Sequence, residues 1–275
     1  MSSGFERRTE VDIFVPGGGD WREALGKVTH LGIGAHADDL EFMAFAGIEA
    51  CRRGGGIFGG VTVTDGAGSV GAVQDLVGVR RAEQREAAAL GNYGVMIQLG
   101  LTSGEARVPG SIRADLAEIF SLARPRMVYT HNPADRHDTH VAVCLAVIDA
   151  LRQADDRCSA VKVLGCEAWR DLDWLTDGDR ERLDGGQDAV FADQLNKVFR
   201  SQIDGGKRYD LAVVGRRRAQ ATFDDPRSAD GAEMVTLAMD LTPLISDKNL
   251  PVRDFVGAKI GRFREDVMDR LERLA

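Results

Sequence analysis

The chain has 275 residues, and its 43 acidic side chains outnumber its 35 basic ones, giving a formal net charge of −8 at pH 7. This balance argues against a protein whose main task is binding nucleic acid, because such proteins carry a basic excess that neutralises phosphates. Hydrophobic residues make up 44% and charged residues 28% of the sequence, which excludes a disordered chain and is ordinary for a globular protein.

The sequence carries no recognisable targeting or membrane segment. No run has the length and apolarity of a membrane span, and the first residues lack an apolar core of signal-peptide length. The four cysteines form no Cys-x-x-Cys pair, and Cys51 and Cys144 lie in apolar helical stretches that predict buried thiols. We therefore expect a cytoplasmic protein without a membrane or nucleic-acid partner.

Short apolar runs alternate with amphipathic stretches along the first two thirds of the chain. In order, the pattern predicts an irregular arm at 1–25, strand 28–34, helix 39–53, strand 57–64, helix 80–90, strand 95–99, helix 111–123 with Ser111 as its N-cap, strand 127–130, helix 138–153 and strand 161–169. Such alternation predicts βαβ units, which build a mostly parallel sheet with helices on both faces. We therefore expect a three-layer α/β fold.

Residues 187–275 are mainly helical in pattern, apart from a strand candidate at 235–241, and they end in an amphipathic helix at 255–274. No linker rich in Pro, Gly or Ser precedes them, so we expect one domain over residues 1–275 with a helical C-terminal elaboration. The run from Arg216 to Arg218 is typical of a solvated helix face, although it could meet an anionic substrate group. Trp169 and Trp174 follow a strand, where packing is the simpler role and lining a sugar site is the alternative.

Two clusters of histidine and aspartate stand at predicted strand-to-helix junctions. Three histidines, His131, His137 and His140, fall within ten residues, and His36 and Asp39 follow the first strand. Spacing of three residues, in 36–39 and again in 137–140, places both members of a pair on one face of a starting helix. All strand-to-helix junctions of a parallel sheet lie at its carboxyl edge, where ligands bind. The two clusters are therefore predicted to meet.

Imidazole and carboxylate ligands together suit Zn²⁺ or another divalent first-row metal. A catalytic zinc takes three protein ligands and keeps a fourth position for water, and His36, Asp39 and His140 would supply the three. Asp38 is then placed to accept a proton from the activated water, and His137 to assist an oxyanion or a leaving amine.

Taken singly, these residues also have plainer explanations. A core histidine could be satisfied by hydrogen bonds, adjacent aspartates are favoured in the first turn of a helix by its dipole, and the second cluster could be a solvated loop. Only their joint occurrence at one edge of the sheet favours a metal site.

Three segments of the sequence resemble one known family. GAHADDLE (34–41) resembles the first signature of the LmbE/PIG-L family of zinc-dependent N-deacetylases, in a form similar to the bacillithiol-pathway deacetylases. THNPADRHDTH (130–140) resembles its second signature, and VTDGAGS (63–69) with Arg80-x-x-Glu83 resembles the stretch between them. The resemblance implies a Rossmann-like fold and hydrolysis of an N-acetyl group, usually from an N-acetylglucosamine unit.

Carried over residue by residue, the resemblance implies roles for the two clusters. His36, Asp39 and His140 would bind zinc or another divalent metal. Asp38 would be the general base, and His137 would assist the tetrahedral intermediate.

The resemblance also suggests which residues meet the substrate. Arg80 matches a position that contacts substrate, and Asp65 and Asp135 complete our set of substrate-binding candidates. The second signature commonly has a carboxylate where this chain has Thr139. We expect Asp135 or Asp138 to take the place of that carboxylate, which would orient His137.

Together these features predict a zinc-dependent amidohydrolase that removes acetyl from an N-acetylglucosamine-type amino sugar or its conjugate, a small molecule. Two alternatives stay open: a zinc-dependent hydratase or hydrolase of a non-sugar substrate on the same scaffold, and a non-catalytic sugar-binding protein. A homo-oligomer is also left open. Gly32-x-Gly34 could suggest a dinucleotide site, but Asp38 and Asp39 would place negative charge where its pyrophosphate must sit.

Overall fold

The structure, a computed structural model, describes residues 4–68, 74–154, 161–223, 227 and 229–275. Within these residues, eight strands form one sheet in the order β1-β4-β3-β2-β5-β6-β8-β7. The strands are β1 (Asp12–Phe14), β2 (His30–Gly34), β3 (Phe58–Thr64), β4 (Val95–Leu101), β5 (Met127–His131), β6 (Lys162–Cys166), β7 (Arg180–Asp184) and β8 (Val235–Asp240). Strands β4, β3, β2, β5 and β6 are parallel, while β1 joins β4, and β8 joins both β6 and β7, antiparallel.

Helices cover both faces of the sheet, which confirms the predicted α/β class. They are α1 (Trp21–Gly26), α2 (Asp39–Met43), α3 (Phe45–Ala50), α4 (Leu76–Leu90), α5 (Ser103–Ala106), α6 (Arg113–Leu122), α7 (Asp138–Gln153), α8 (Ala189–Lys197), α9 (Arg200–Ile203), α10 (Tyr209–Thr222), α11 (Thr242–Ser246) and α12 (Val252–Leu274), with a 3₁₀ turn at Phe5–Arg7 and a π turn at Cys51–Gly55. Among the described residues, no helix has the length and apolarity to cross a membrane.

The core consists of two apolar clusters that share the sheet. Alternating residues of one strand join different clusters: Ile97 of β4 packs with one, and its neighbour Met96 with the other. This alternation follows from the two-residue period of a strand covered on both faces. Cys51 and Cys144 are buried thiols as predicted, whereas Cys158 lies outside the described residues.

Several elements differ from the sequence prediction. The helix expected over 39–53 is broken at Ala44, whose φ of −107° and ψ of 15° end α2 before α3 begins. Ser111 is not an N-cap, because α6 begins at Arg113 after Ile112, and no side chain caps it. The arm at 1–25 was expected to be irregular but contains β1 and all but the last residue of α1, both too short to leave a periodic pattern.

Two glycines of β2 allow α2 to lie close to the sheet. A Cβ at Gly32 would come within 2.7 Å of the Phe58 ring and 3.0 Å of Leu40, and a Cβ at Gly34 would lie 3.0 Å from the Cβ of Asp39. The Gly32-x-Gly34 pair is thus explained by close helix–strand packing, which seats the first residue of α2 against the end of β2.

Candidate active site

The neighbouring parallel strands β2 and β5 bring the two histidine clusters to the same edge of the sheet. The chain leaves β2 into the loop that carries His36, and β5 ends at His131 before the loop into α7. Nδ1 of His36 lies 3.2 Å from Nε2 of His140 as a result. Residues far apart in sequence thus meet at the carboxyl edge of the sheet, as the alternation of strands and helices predicted.

His36, Asp39 and His140 form a compact group of nitrogen and oxygen atoms. Nδ1 of His36 lies 3.3 Å from Oδ2 of Asp39, and Nε2 of His140 lies 3.5 Å from Oδ1 of Asp39. Ligands at about 2.0–2.1 Å from a tetrahedral zinc are about 3.3 Å from one another. Two groups within the described residues have ligand atoms close enough to hold one zinc ion or a similar first-row divalent metal: His36, His137 and His140, and Asp39, His131 and His140.

His131, which sequence reasoning left outside the site, belongs to the same group. It is fully buried, and its Nε2 lies 3.2 Å from Oδ2 of Asp39 and accepts the backbone N–H of Ala35 at 2.9 Å. Its ring stacks on that of His140, with centroids 3.8 Å apart. The available signal was its membership in the group of three histidines, but the end of an apolar strand is equally typical of a core residue.

Asp135 lies behind His140. Its Oδ2 is 3.5 Å from Nδ1 of His140, and its Oδ1 accepts the backbone N–H of His137 at 3.0 Å. Burial alone would raise the pKa of Asp135, but the hydrogen bond and charge of His140 lower it. Asp138, the other residue expected to replace the usual carboxylate, is exposed. Asp135 is thus placed to orient His140 through its side chain.

The pKa values of the adjacent carboxyl groups of Asp38 and Asp39 are shifted in opposite directions. Burial, followed by the charges of Asp39 and Glu41, raises the pKa of Asp38 well above its usual range. Burial would also raise the pKa of Asp39, but His140 and His131 outweigh it and lower that pKa well below its usual range. When their environments shift the pKa values of two neighbouring carboxyl groups in opposite directions, one group suits proton transfer and the other suits a ligand role.

A buried polar network holds the backbone at Asp38, whose φ of 90° is left-handed. Gln84 accepts the N–H of Asp38 through Oε1 at 3.3 Å and donates through Nε2 to Glu41 at 2.9 Å. Tyr93 donates its hydroxyl to the same oxygen of Glu41 at 2.7 Å, and burial raises the pKa of Glu41 to about 7. Neither Gln84 nor Tyr93 stands out in the sequence, and Glu41 does so only as the last residue of the first signature.

A cavity of about 620 Å³ has two of the three candidate metal ligands, His36 and Asp39, in its wall. His36, Asp38, Asp39 and His137 line it, together with the expected substrate-contacting residue Arg80. The cavity therefore joins a candidate base, candidate ligands and a cationic side chain around one volume.

The two other substrate-binding candidates do not line this cavity. Oδ1 of Asp65 accepts the backbone N–H of Ala67 at 2.9 Å, and the cavity wall instead contains Gly66 and Gly68. Asp135 lies behind His140, as described above. The loop after β3 thus reaches the cavity through its glycines, and Ser69 lies outside the described residues.

The second half of the chain supplies another wall of the cavity, a role that the sequence offered only as an alternative for Trp169 and residues 216–218. Trp169 lines the cavity, is 41% exposed and meets Tyr209 edge-on with ring centroids 6.2 Å apart. From α10, Arg216 and Arg217 line it as well. The packing role expected of Trp169 is therefore wrong, and so is the solvated role of Arg217, which is 2% exposed; only Arg218 of the three arginines is fully at the surface.

Residues 31–151 match the family described as PIG-L, GlcNAc-PI de-N-acetylase. The matched segment contains both clusters, from His36 to His140. The two signatures, at 34–41 and 130–140, predicted this match. Among curated proteins no match was found.

Solved structures of similar fold cover most of the chain. N,N′-diacetylchitobiose deacetylase from Pyrococcus horikoshii is 18% identical, with a TM-score of 0.63 over 82% of this chain and 88% of that one. The 4-carboxy-2-hydroxymuconate hydratase GalB from Pseudomonas putida KT2440 is 17% identical, with a TM-score of 0.63 over 82% and 100%. The A40926 pseudoaglycone deacetylase Dbv21 is 16% identical, with a TM-score of 0.59 over 78% and 97%. These likenesses confirm the Rossmann-like fold.

Proposed function

We propose that this protein is a metal-dependent hydrolase that removes the N-acetyl group from an N-acetylglucosamine-type amino sugar or conjugate. The observation that carries the proposal is the pair of adjacent aspartates, with Asp39 held among histidines and Asp38 lining the cavity with a raised pKa. The description of the matched family as a de-N-acetylase and the deacetylase named among the similar structures support the same reaction.

The metal ligands in this proposal are His36, Asp39 and His140. Bound there, zinc or another divalent ion would polarise the acetamide carbonyl and lower the pKa of a water molecule. His131 packs against the ring of His140 and faces Asp39, and Asp135 meets the far nitrogen of His140. Such supporting contacts fix the orientation of ligand side chains.

Asp38 is the general base. It accepts a proton from the attacking water while the water oxygen bonds to the amide carbon. It then returns that proton to the nitrogen as the carbon–nitrogen bond breaks, so that acetate and a free amine are released. A carboxyl group whose pKa is raised by burial and neighbouring charge holds the transferred proton well, which suits the second step.

His137 stabilises the negative charge that develops on the carbonyl oxygen. It lines the cavity with its ring centroid 4.9 Å from that of His36. As a side chain of the cavity wall, His137 can donate a ring N–H to an oxyanion in a site that excludes water.

The sugar ring rests beside Trp169 and Tyr209. Trp169 lies next to His137, with ring centroids 6.2 Å apart, and presents an exposed apolar surface to the cavity. Arg80 lines the cavity near Asp38, and the positive charge of Arg80 acts to lower the pKa of Asp38. The acetamide would thus reach the metal-binding group while the sugar covers the aromatic wall.

The test is amine release from a panel of N-acetylated amino sugars and their conjugates by metal-loaded protein, with a chelated sample as the control. We expect amine and acetate in equal amounts, a loss of both on chelation and a recovery when zinc is restored. No amine release from any member of the panel, with metal demonstrably bound, would contradict the proposed deacetylase activity. The metal content of the isolated protein decides between zinc and another divalent ion.

A hydratase is the second candidate, favoured by the fold shared with 4-carboxy-2-hydroxymuconate hydratase. The same base could deliver water to a carbon–carbon double bond, and no acetate would then appear. Consumption of an unsaturated carboxylic acid without amine release would favour this reaction over the first. A non-catalytic sugar-binding protein is the third candidate. The Asp38→Asn variant in the Discussion distinguishes this candidate from both enzymes.

A further inference from the structure

The second half of α12 is exposed along its whole length. Lys259 is the buried residue of this helix, and Phe263 meets the ring of Trp174 edge-on with centroids 6.4 Å apart. Every residue from 262 to 275 is exposed. Isolated helices shorter than about 12–15 residues are marginal in water, and most helices in proteins are stabilised by the packing of an apolar face. Within the described residues, this half of α12 therefore receives little of the packing that usually stabilises a helix.

Apolar side chains form one stripe along this exposed half. Large apolar residues recur after intervals of three, four, four and three residues, which is the spacing of a single helix face. They are between 36% and 77% exposed, and in chain order they are Ile260, Phe263, Val267, Leu271 and Leu274. A stripe with this spacing normally packs on a core or on a partner helix, whereas this one is open to solvent.

The stripe is symmetric about Val267. Phe263 and Leu271 lie four residues before and after it, and Ile260 and Leu274 lie seven residues before and after it. In a two-fold symmetric contact between antiparallel helices, residues equally far from the centre meet each other. A second copy of α12 would therefore pair Val267 with itself, and each flanking apolar residue with its apolar counterpart across the centre.

The charges beside the stripe match the same pairing. Asp266 and Arg270 lie on one side of the stripe, one residue before Val267 and three after it. Antiparallel helices related by a two-fold axis bring the same sides of their stripes together, so that Asp266 of each copy lies near Arg270 of the other. Within one chain Nη2 of Arg270 already lies 2.9 Å from Oδ2 of Asp266. Two copies would thus join these residues in a network of four alternating charges. On the other side of the stripe, the long stem of Arg264 would face the apolar side chain of Met268.

We propose that α12 pairs with α12 of a second copy of this chain, as two antiparallel helices centred on Val267. An anionic lipid surface is another occupant that an amphipathic helix can take, but the net charge of −8 and the position of Asp266 beside the stripe disfavour it. The patch is small compared with the roughly 1,600 Å² of a standard interface, so we expect a reversible dimer at micromolar concentrations. None of the residues of the stripe lines the cavity, and the proposal is therefore independent of the proposed reaction.

The first test is sedimentation equilibrium of the full chain between about 1 and 200 μM. We expect a monomer–dimer equilibrium. Val267→Lys would place two ammonium groups at the centre of the contact and should raise the dissociation constant at least about 100-fold. Glu265→Lys, which introduces the same side chain on the opposite face of α12, should leave the dissociation constant within about 3-fold of the natural value. Circular dichroism of both variants shows that the helix content is kept.

Charge reversal tests the register of the pairing. Asp266→Arg places arginine opposite arginine, and Arg270→Asp places aspartate opposite aspartate, so each variant alone should dimerise about 10-fold more weakly. An equimolar mixture of the two variants should form a heterodimer, because opposite charges then face each other on both copies. An effect confined to the helix of one chain would not be reversed by mixing. Absence of the heterodimer would contradict the proposed register.

Cross-linking tests the direction of the two helices. A mixture of Phe263→Cys and Leu271→Cys chains, oxidised at a concentration that favours the dimer, should form a disulfide that joins position 263 of one chain to position 271 of the other. The natural protein, oxidised in the same way, provides the background. A disulfide between two chains at position 263 would indicate parallel helices and would overturn the antiparallel arrangement.

Two results would overturn the interface itself. One is a natural protein that stays monomeric over the whole concentration range, and the other is a dimer that Val267→Lys leaves unchanged. The monomer would then be mixed with vesicles of equimolar phosphatidylcholine and phosphatidylglycerol. Sedimentation of the natural protein, but not of Val267→Lys, with these vesicles would show that a lipid surface, and not a second copy, covers the stripe.

Discussion

The carboxylate of Asp135 lies 3.5 Å from Nδ1 of His140, while Nε2 of the same ring lies 3.5 Å from Asp39. A carboxylate on the far nitrogen fixes both the tautomer and the orientation of a ligand histidine. In the sequence, Thr139 stands where the resembling family commonly has a carboxylate. The structure provides one from the loop before α7, three residues before the helix begins.

Asp135→Asn should weaken metal binding. The amide can still accept the N–H of His137 but no longer supplies a negative charge to His140, and loss of such a partner costs about 10- to 100-fold in metal affinity. Competition with a chromophoric chelator measures the dissociation constant. Asp138→Asn, which changes an exposed carboxylate in the same loop, should leave that constant unchanged. Equal effects of the two variants would contradict the role given to Asp135.

Asp38→Asn should abolish turnover and spare metal binding. Asparagine tolerates a left-handed backbone such as the φ of 90° at this position, so the loop should keep its shape. Loss of a general base lowers kcat by about 10²- to 10⁴-fold. Turnover and metal content are measured on one preparation. Full turnover by the variant would refute the assigned mechanism, and bound sugar with no turnover by either protein would favour a binding protein.

The βαβ alternation and the spacing of the two clusters were sufficient to predict the parallel centre of the sheet and the meeting of His36 with His140. Both follow from local sequence, because every strand-to-helix junction of a parallel sheet lies at one edge. The position of Arg217 in the cavity wall could not be predicted in this way. Arg217 donates to the backbone carbonyl of Glu41, 176 residues away in sequence. Its own helix has the sequence pattern of a charged surface helix.

The break of α2 at Ala44 has the same origin in tertiary structure. Residues 39–53 contain neither proline nor a glycine at the break, so helical spacing alone predicts one continuous helix. The structure instead packs Gly47 against Tyr129, where a Cβ would come within 2.6 Å of the ring. The free carbonyls of Glu41 and Phe42 are then available to Arg217. Local pattern sees none of these contacts.

Glu167 should make the protein less stable as the pH rises. Its pKa is raised from the usual 4.5 to about 8, so the folded state holds this proton more tightly than the unfolded chain. The unfolding free energy should therefore decrease between pH 4.5 and about 8. Glu167→Gln should flatten this part of the profile in urea unfolding, whereas Glu86→Gln, at an exposed position of α4, should keep the natural slope. Parallel profiles for the natural protein and Glu167→Gln would exclude this contribution.

Asp179 connects α12 to the rest of the fold through hydrogen bonds and ion pairs, and removal of its carboxylate charge should destabilise that helix. Its carboxylate accepts Lys259 Nζ at 3.0 Å and Arg262 Nε at 2.6 Å, and Lys259 is the buried residue of α12. Asp179→Asn would leave that ammonium without an ionised partner and should cost about 1–3 kcal/mol. Faster amide hydrogen exchange across α12 would report the loss.

The matched control and the pH dependence sharpen this prediction. Asp266→Asn breaks an exposed pair with Arg270 on the same helix and should cost no more than about 0.5 kcal/mol. The hydrogen bond from Arg262, assisted by Lys259, lowers the pKa of Asp179 to about 2. The stabilisation should therefore be complete above pH 3.8 and disappear as the pH falls towards 2, where the natural protein and Asp179→Asn should exchange α12 amides alike. Similar exchange in the two proteins at pH 6 would show that α12 is held by other contacts.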